Sequence, residues 1–510
     1  MSNDHEHLID PQTLAGLGES AELALLRHTL DAPAPPTEHQ VFVNRTLRME
    51  KIQHVGFDLD WTLADYDRAA MSQLAFELTL DRLVERGYSD TLLKCEFRDD
   101  FCRRGLILDT EAGMVLKMNR HRYVGRAYHG RSFLDAAERS ELYRREPINP
   151  SSSRFYFVDT LFELPEVNIF AEVTELSLRN GSKPLFDSHT QLFKDTRAAI
   201  DSIHADGTLK QRILADLDTY LPRDPQLPLA LARMAQSGRK LLLITNSEWF
   251  YTDGLCRHLF EGSLPGLDTW RELFDLVIVS AGKPGFFKKN RPFEQLDAAG
   301  QRLGEVTVPE WGGLYSGGCR SGLMELLDVP GEQILYVGDH IYGDILSPKL
   351  SSTWRTALVV SELEDEAKVR RRMDSQLRHL SVLRAELSEL GLQMDDLKDI
   401  LSLYGGLLDG QEDPEVHRSA RGRIENQIGR LRSEHKAMRR HAARLQSRIS
   451  KAINPFWGSL FKQGSNKSLF GSQVDDFACI YTSRVRNFVH YGSEHYFRVT
   501  ADPMMHEIEI

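Results

Sequence analysis

Apolar residues fall into two kinds of pattern along this chain, and their order predicts most of the architecture. Short, nearly unbroken apolar runs end the stretch Ile52 to Phe57 (IQHVGF) and fill Lys240 to Thr245 (KLLLIT), Leu276 to Val279 (LVIV), Ile334 to Val337 (ILYV) and Thr356 to Val360 (TALVV). Runs of this length without alternation suit strands buried on both faces. Helical spacing intervenes, first at Leu74, Leu78, Leu80 and Leu83. Strands alternating with helices predict an α/β fold, with a mostly parallel sheet covered on both sides. From about Cys95 to Tyr220 the pattern is mixed, so a long insertion separates the first strand from the second. No internal repeat is evident.

Beyond residue 360 the pattern changes. Leu377, Leu380, Leu383, Leu387 and Leu390 form one helical stripe. After a GlyGly and acidic-Pro break near 405–414, Ile424, Ile428, Leu431, Met438, Leu445 and Ile449 form another. Two long amphipathic helices with a short connection predict an antiparallel hairpin. The second helix is strongly basic (Arg418, Arg421, Arg423, Arg430, Arg432, Arg439, Arg440) and the first is richer in acid. Pairing of these charges inside the hairpin or between subunits is favoured over a nucleic-acid surface.

The length of 510 residues predicts two or three domains. The divisions expected are an N-terminal arm (1–40) closed by the stiff stretch DAPAPPTEH, a core (41–94 and 221–360), an insertion (95–220), a helical hairpin (361–455) and a C-terminal segment on the core (456–510). A net charge of −11 gives no bulk attraction to nucleic acid or an anionic membrane. No apolar stretch is long enough to span a bilayer, and MSNDHEHLIDPQ lacks the features of a signal peptide. Five cysteines without a CxxC pair (Cys95, Cys102, Cys256, Cys319, Cys479) fit free thiols in a reducing cytoplasm. His5 and His7 are read as part of a frayed polar terminus rather than a metal site.

Chemistry enters where the apolar runs stop. The first delivers Asp58, with Asp60 two residues on and Thr62 two after that. Ligands bind at the carboxyl ends of strands in open α/β sheets, so Asp58 can attack an electrophile while Asp60 handles a proton. Alone, DxD is also a common turn. Thr245-Asn246-Ser247 follows KLLLIT, where small polar side chains and helix-start amides suit phosphate oxygens, although TNS is equally an ordinary helix cap. Lys283, after LVIV, can neutralise phosphate charge, although isolated lysines are mostly solvated. Asp339 and Asp344 follow ILYV, and carboxylates from separate strand ends make a hard-oxygen site for Mg²⁺.

These signals in this order, DLDWT, ITNS, Lys283 and GDHIYGD, resemble the four motifs of the haloacid-dehalogenase-like phosphohydrolases. VFVNRTLRMEKI, GFDLDWTLADY, RGLILDT, DTLFELPE, YSGG and LYVGDHIYGDIL together resemble the cytosolic purine (IMP/GMP-specific) 5′-nucleotidase family, from about Val41 to Glu507. The resemblance implies a Rossmann-like core, an inserted α+β cap and Mg²⁺-dependent hydrolysis of purine nucleoside monophosphates, with phosphotransfer to a nucleoside hydroxyl as a second outcome. It implies Asp58 as nucleophile, Asp60 as general acid and base, and Thr245, Asn246 and Lys283 on the transferring oxygens. Mg²⁺ is expected on Asp58, the Asp60 carbonyl and Asp339, with Asp344 behind them.

Within the insertion, LFKDTRAAIDSIHADGTLK is similar to the family's nucleotide-binding helix. Arg197, Asp201 and His204 share a helical face, although an Arg197–Asp201 surface ion pair is the simpler reading without the resemblance. With it, Arg197 and Asp201 meet the purine edge and Lys210 lies near phosphate. The chain departs from the family at Arg131, which stands where an aromatic packs on the base; a guanidinium can stack there too. It departs again at the family's activating nucleotide site, where Leu350 replaces a lysine and Asp476 an arginine. Lys349, Tyr342 and Gln473 remain, so weak or absent activation by ATP is expected. A homo-oligomer without nucleic acid or membrane partners is the expected assembly. Two other readings are a phosphatase of this superfamily acting on another phosphorylated metabolite, and a non-catalytic interaction protein that keeps the fold.

Overall fold

The computed structural model describes residues 34–499 except 145–147, 150–151, 182–183 and 408–413, with backbone alone at 350–351, 404–407 and 414–417. His5 and His7 lie outside the described residues. The central sheet is built from β1 (Val41–Val43), β2 (His54–Phe57), β3 (Lys240–Ile244), β4 (Leu276–Val279), β5 (Phe293–Leu296), β6 (Arg302–Val306), β7 (Leu314–Gly317), β8 (Ile334–Gly338), β9 (Arg355–Val359) and β10 (Ile480–Thr482). Their order is β1-β10-β9-β8-β2-β3-β4-β7-β5-β6. From β10 to β7 every pairing is parallel, and antiparallel strands close both edges. The five runs read from the sequence are all strands. β10 and β7 carry weaker patterns and were not anticipated; β10 draws the C-terminal segment into the sheet.

β2 sits at the centre, with all four residues buried. Its Gly56 is required by packing, because a Cβ there would meet the Tyr336 ring at 2.8 Å. That ring belongs to a core layer with Ile244, Ile278, Phe286 and Phe293 on one face of the sheet. On the other face, Val55 and Phe57 join a larger cluster with Leu243, Val277, Val337 and the helix that follows β2. This helix, α1 (Arg68–Glu85), is capped by the Asp67 carboxylate accepting from Ala70 N, and it buries Leu74, Leu80 and Leu83.

The insertion forms a five-stranded antiparallel sheet from segments between Ile107 and Phe157, backed by α2 (Leu164–Arg179) and α3 (His189–Ala205). It is an α+β cap over the carboxyl ends of the central strands. Past β9, helix Glu362–Arg372 leads into α4 (Asp374–Leu407) and α5 (Pro414–Ile453), which lie against each other. Leu380, Leu383, Ala442 and Ile449 form their buried seam. α4 runs through Gly405 and Gly406, inside the expected break, despite the roughly 1 kcal/mol propensity cost of each glycine. Of the two pairings expected for the hairpin's charges, inside it or between subunits, the first is not formed among the described residues. Among the described residues, no salt bridge joins α4 to α5; the pairs formed are Arg378–Asp374, Lys398–Asp395 and Arg421–Glu425 within single helices.

Candidate active site

Parallel neighbours end on the same edge, so β8, β2, β3 and β4 place Asp339, Asp58, Thr245–Ser247 and Lys283 along one rim of the sheet. Asp58 continues β2 by donating its backbone N–H to Val337 O at 2.9 Å. Its Oδ1 accepts from Leu59 N at 2.8 Å and pairs with Lys283 Nζ at 2.8 Å. Lys283 Nζ also donates to Asp344 Oδ1 at 2.8 Å and to the Tyr336 hydroxyl at 3.0 Å. The ammonium thus has three oxygen partners, one for each of its protons.

Asp58, Asp339 and Asp344 each bring a carboxylate oxygen within 4.8 Å of the others, all buried. Asp344 fits there because Gly338 has no Cβ: one would lie 2.4 Å from Asp344 Cβ. Burial, with Asp344 and Asp60 nearby, pushes the Asp58 carboxyl up to about 8 against the pull of Lys283. Burial also lifts Asp339 well above the carboxylate range, against Arg104. Burial works to lower Lys283, but Asp344 and Asp58 outweigh it and hold the ammonium well above its ordinary value. Three carboxylates against one ammonium leave negative charge to be balanced.

Arg104, at the entrance to the cap, carries a wholly buried side chain. It grips Glu362 with two hydrogen bonds of 3.0 and 2.6 Å and donates to the Asp339 carbonyl at 2.7 Å. It lies 3.7 Å from Asp339 Oδ2, a buried oxygen without a hydrogen-bond partner. Burial works to raise the Glu362 carboxyl, but the Arg104 guanidinium more than reverses it and holds the group at about 2. Counting Glu362 and Arg104 with the three aspartates and Lys283 gives a net charge of about −2 in the ionised state, which suits one divalent cation.

Asp60 is held apart from this cluster. The Tyr66 hydroxyl donates to its Oδ1 at 2.6 Å and the Ser247 hydroxyl to its Oδ2 at 2.7 Å, with Tyr251 2.9 Å from Tyr66. The turn that presents it contains Trp61 at φ +56°, a left-handed conformation that costs a non-glycine residue about 1–3 kcal/mol. Burial of the indole against Tyr66 and Phe162 offsets that cost. Asn246 bridges the rim, accepting from Lys283 N at 2.6 Å and donating to Lys283 O at 3.1 Å.

A cavity of about 290 Å³ opens from Asp60, Asn246 and Ser247 toward α3. It brings together four residues predicted for base and phosphate: Arg197, Asp201, His204 and Lys210. Arg197 is already engaged, donating from one terminal nitrogen to Glu166 at 2.9 Å, Glu163 at 3.3 Å and the Tyr156 hydroxyl at 2.5 Å. Burial, with Glu163 beside it, pushes Glu166 up to about 8 against Arg197. His204 meets the Phe162 ring edge-on at 5.5 Å, and burial lowers its pKa. Lys210 pairs with Glu248 and lies over the Tyr251 ring. Thr245, also on the rim, is fully buried and accepts from Ser247 N at 3.1 Å.

Arg131 is elsewhere. Its guanidinium stacks over Phe101 at 4.1 Å, held by Glu172 at 2.8 Å and Asn168 at 2.7 Å, so it does not stand in for an aromatic on the base. Of the aromatics that line the cavity, Phe162 and Tyr251, Phe162 comes from the cap. It lies in DTLFELPE, which marked the family but gave no residue-level signal. Tyr66, Tyr251, Arg104 and Glu362 also escaped notice, because single polar residues far apart in sequence carry no pattern. At the departed nucleotide site, Lys349 donates to Phe477 O at 2.7 Å and Lys288 to the Tyr342 hydroxyl at 2.8 Å.

A buried nucleophile-type carboxylate, a second carboxylate two residues on, a lysine and an acidic pair on one rim, under an inserted cap, define a haloacid-dehalogenase-like phosphohydrolase. More narrowly, residues 41–509 match the 5' nucleotidase family, and the chain belongs to that family of hydrolases. A 5'-nucleotidase domain-containing protein of Dictyostelium discoideum is 28% identical over 485 residues, covering 93% of this chain and 76% of that protein. Human 5'-nucleotidase domain-containing protein 2 is 29% identical over 485 residues, covering 92% and 85%. A solved predicted phosphoglycolate phosphatase of Haemophilus somnus aligns with 61% of this chain and 86% of its own at 12% identity; its TM-score of 0.27 is too low to bear on function. Among the described residues, no helix is long and apolar enough to cross a membrane.

Proposed function

We propose that the protein is a Mg²⁺-dependent 5′-nucleotidase for purine nucleoside monophosphates, IMP and GMP foremost, working through an aspartyl-phosphate on Asp58. The observation that carries this reading is the cavity that joins Asp60 and Asn246 to the α3 face of Arg197, Asp201 and His204. This one cavity would hold a phosphate at the rim and a base beneath the cap. A carboxylate oxygen of Asp58 attacks phosphorus, and the bond from phosphorus to the nucleoside 5′ oxygen breaks. Asp60 hands that oxygen its proton. Asp60 then takes a proton from water, which attacks phosphorus and releases phosphate from Asp58. Thr245, Asn246 and Lys283 steady the phosphoryl oxygens, and a nucleoside hydroxyl in place of water gives phosphotransfer.

Oxygen donors alone, an Asp339 Oδ2 that accepts no hydrogen bond and the negative balance of the cluster fit Mg²⁺, which would be held by Asp58, the Asp60 carbonyl and Asp339 with Asp344 behind. When bound, the cation would neutralise charge as carboxylate meets phosphate. The division into core, cap (95–220) and hairpin (361–455), a cytoplasmic location and homo-oligomeric assembly belong to the same reading. A phosphate-release screen over nucleoside, sugar and other phosphomonoesters with Mg²⁺ tests it. Purine monophosphates should lead; a leading sugar phosphate would favour the wider phosphatase reading, and no turnover of any ester would favour a scaffold.

A further inference from the structure

Both oxygens of Asp60 are held by hydroxyl groups, but the two hydroxyls differ in their freedom to turn. Tyr66 donates to Oδ1 at 2.6 Å and Ser247 to Oδ2 at 2.7 Å. Tyr66 reaches Asp60 from beyond a tight turn, in which Leu63 N and Ala64 N both donate to Leu59 O. Ser247 and Tyr251 approach from the other side: Ser247 follows β3, and Tyr251 lies in the first turn of helix Trp249–Phe260. All four residues are buried, Tyr66 at 3% and Tyr251 at 2% exposure.

Counting protons sets the direction of these bonds. A phenol keeps its proton at neutral pH and has one to donate. Tyr66 donates its proton to Asp60, so in its 2.9 Å contact with Tyr251 the Tyr66 oxygen accepts and Tyr251 donates. The order is therefore Tyr251 to Tyr66 to Asp60 Oδ1. Turning the Tyr66 proton away from Asp60 would aim it at the proton of Tyr251. Ser247 is under no such constraint: among the described residues its hydroxyl has Asp60 as its one hydrogen-bond partner, and a serine hydroxyl rotates to suit its surroundings.

We propose that Tyr66, steadied by Tyr251, is a positioning residue that keeps Oδ1 of Asp60 an acceptor and so places the transferable proton on Oδ2, beside Ser247. This rests on the proposed function above and deepens it. Among the described residues, Asp60, Ser247 and Tyr251 line the cavity and Tyr66 does not, so Tyr66 acts on a substrate only through Asp60. As the bond from an Asp58 oxygen to phosphorus forms and the bond from phosphorus to the 5′ oxygen breaks, the Oδ2 proton passes to that 5′ oxygen. Asp60 is then ionised, and Ser247 donates to the emptied Oδ2, the arrangement seen here. Water attacks phosphorus, its proton returns to Oδ2 as Ser247 turns aside, and phosphate leaves Asp58. Pinned at Oδ1 throughout, the carboxyl keeps Oδ2 aimed in one direction for both transfers.

The leaving group provides the test. A nucleoside 5′ alkoxide leaves poorly without a proton, whereas a thiolate leaves as the anion near neutral pH, ordinary thiols ionising at about 8.5. IMP is therefore compared with its analogue in which sulfur replaces the bridging 5′ oxygen, so that base, ribose and phosphate stay the same. In Tyr66→Phe, kcat/KM for IMP should fall about 10²-fold and that for the sulfur ester several-fold at most. Tyr251→Phe should show the same selective loss on a smaller scale; it leaves the Tyr66 hydroxyl on Asp60 and decides the matter if Tyr66→Phe does not fold. Tyr66→Phe/Tyr251→Phe should be no worse than Tyr66→Phe alone, because Tyr251 acts through Tyr66. Equal losses on the two esters would make the phenols purely structural and overturn the inference. Additive losses in the double variant would overturn the chain of donors. Wild-type protein that turns over neither ester would overturn the nucleotidase reading itself, and this inference with it.

Discussion

Asp58 is where the chemistry concentrates. Replacing it by Asn keeps the shape and removes the nucleophile, so turnover should fall at least about 10⁴-fold. Purified Asp58→Asn protein retaining substantial phosphate release would contradict the covalent route. Glu166 gives a separate test through stability. Its folded pKa is raised to about 8 from the ordinary 4.5, chiefly by burial. Between those values the folded state binds more protons than the unfolded chain, so this group's contribution is present below about 4.5 and is lost as pH rises through about 8. Glu166→Gln lacks that loss and keeps an acceptor for Arg197. The melting temperature of the variant relative to wild type should therefore climb from pH 5 to pH 8, and a difference flat in pH would contradict the assignment.

At the level of elements, β2 with its neighbours and the cap entrance meet through Arg104. This guanidinium fixes the backbone of Asp339 from one side and Glu362 from the other, joining cap, fourth motif and the helix that leads to the hairpin. Partners behind a metal ligand typically carry 10–100-fold in affinity. Arg104→Lys keeps the charge but loses the fork, so Mn²⁺ affinity read by titration calorimetry should fall about tenfold or more, while added metal restores activity. An unchanged Mn²⁺ affinity with a lowered melting temperature would make Arg104 purely structural. The central strands and their carboxylates were legible in the sequence because buried parallel strands write continuous apolar runs that stop at the catalytic rim. The hairpin was legible from its leucine and isoleucine spacing. Arg104, Tyr66 and Phe162 were not, since each acts through a tertiary contact with no local period. Arg131 was misplaced for the same reason: position after HG says nothing of which ring its guanidinium will find.

For the whole molecule, one cavity runs from the rim of the core to α3 of the cap, and on the proposed function specificity would be set there. A regulatory nucleotide has less to hold it. Lys349 is spent on a backbone carbonyl, and Asp476 stands where the family resemblance aligns an arginine. ATP, titrated at constant free Mg²⁺ against IMP hydrolysis, should therefore change the rate little, and strong activation would show that the charge argument fails. The most direct test of the central claim is kcat/KM for IMP, GMP and AMP with saturating Mg²⁺, repeated after chelation. On the proposed function Arg197 would donate to a 6-oxo group, whereas a 6-amino group would leave that donor unpaired once the base covers it, at about 1–3 kcal/mol. IMP and GMP should thus exceed AMP by about tenfold to a hundredfold, with all activity lost on chelation. Equal efficiency on the three nucleotides, or turnover that persists without a divalent cation, would contradict the account.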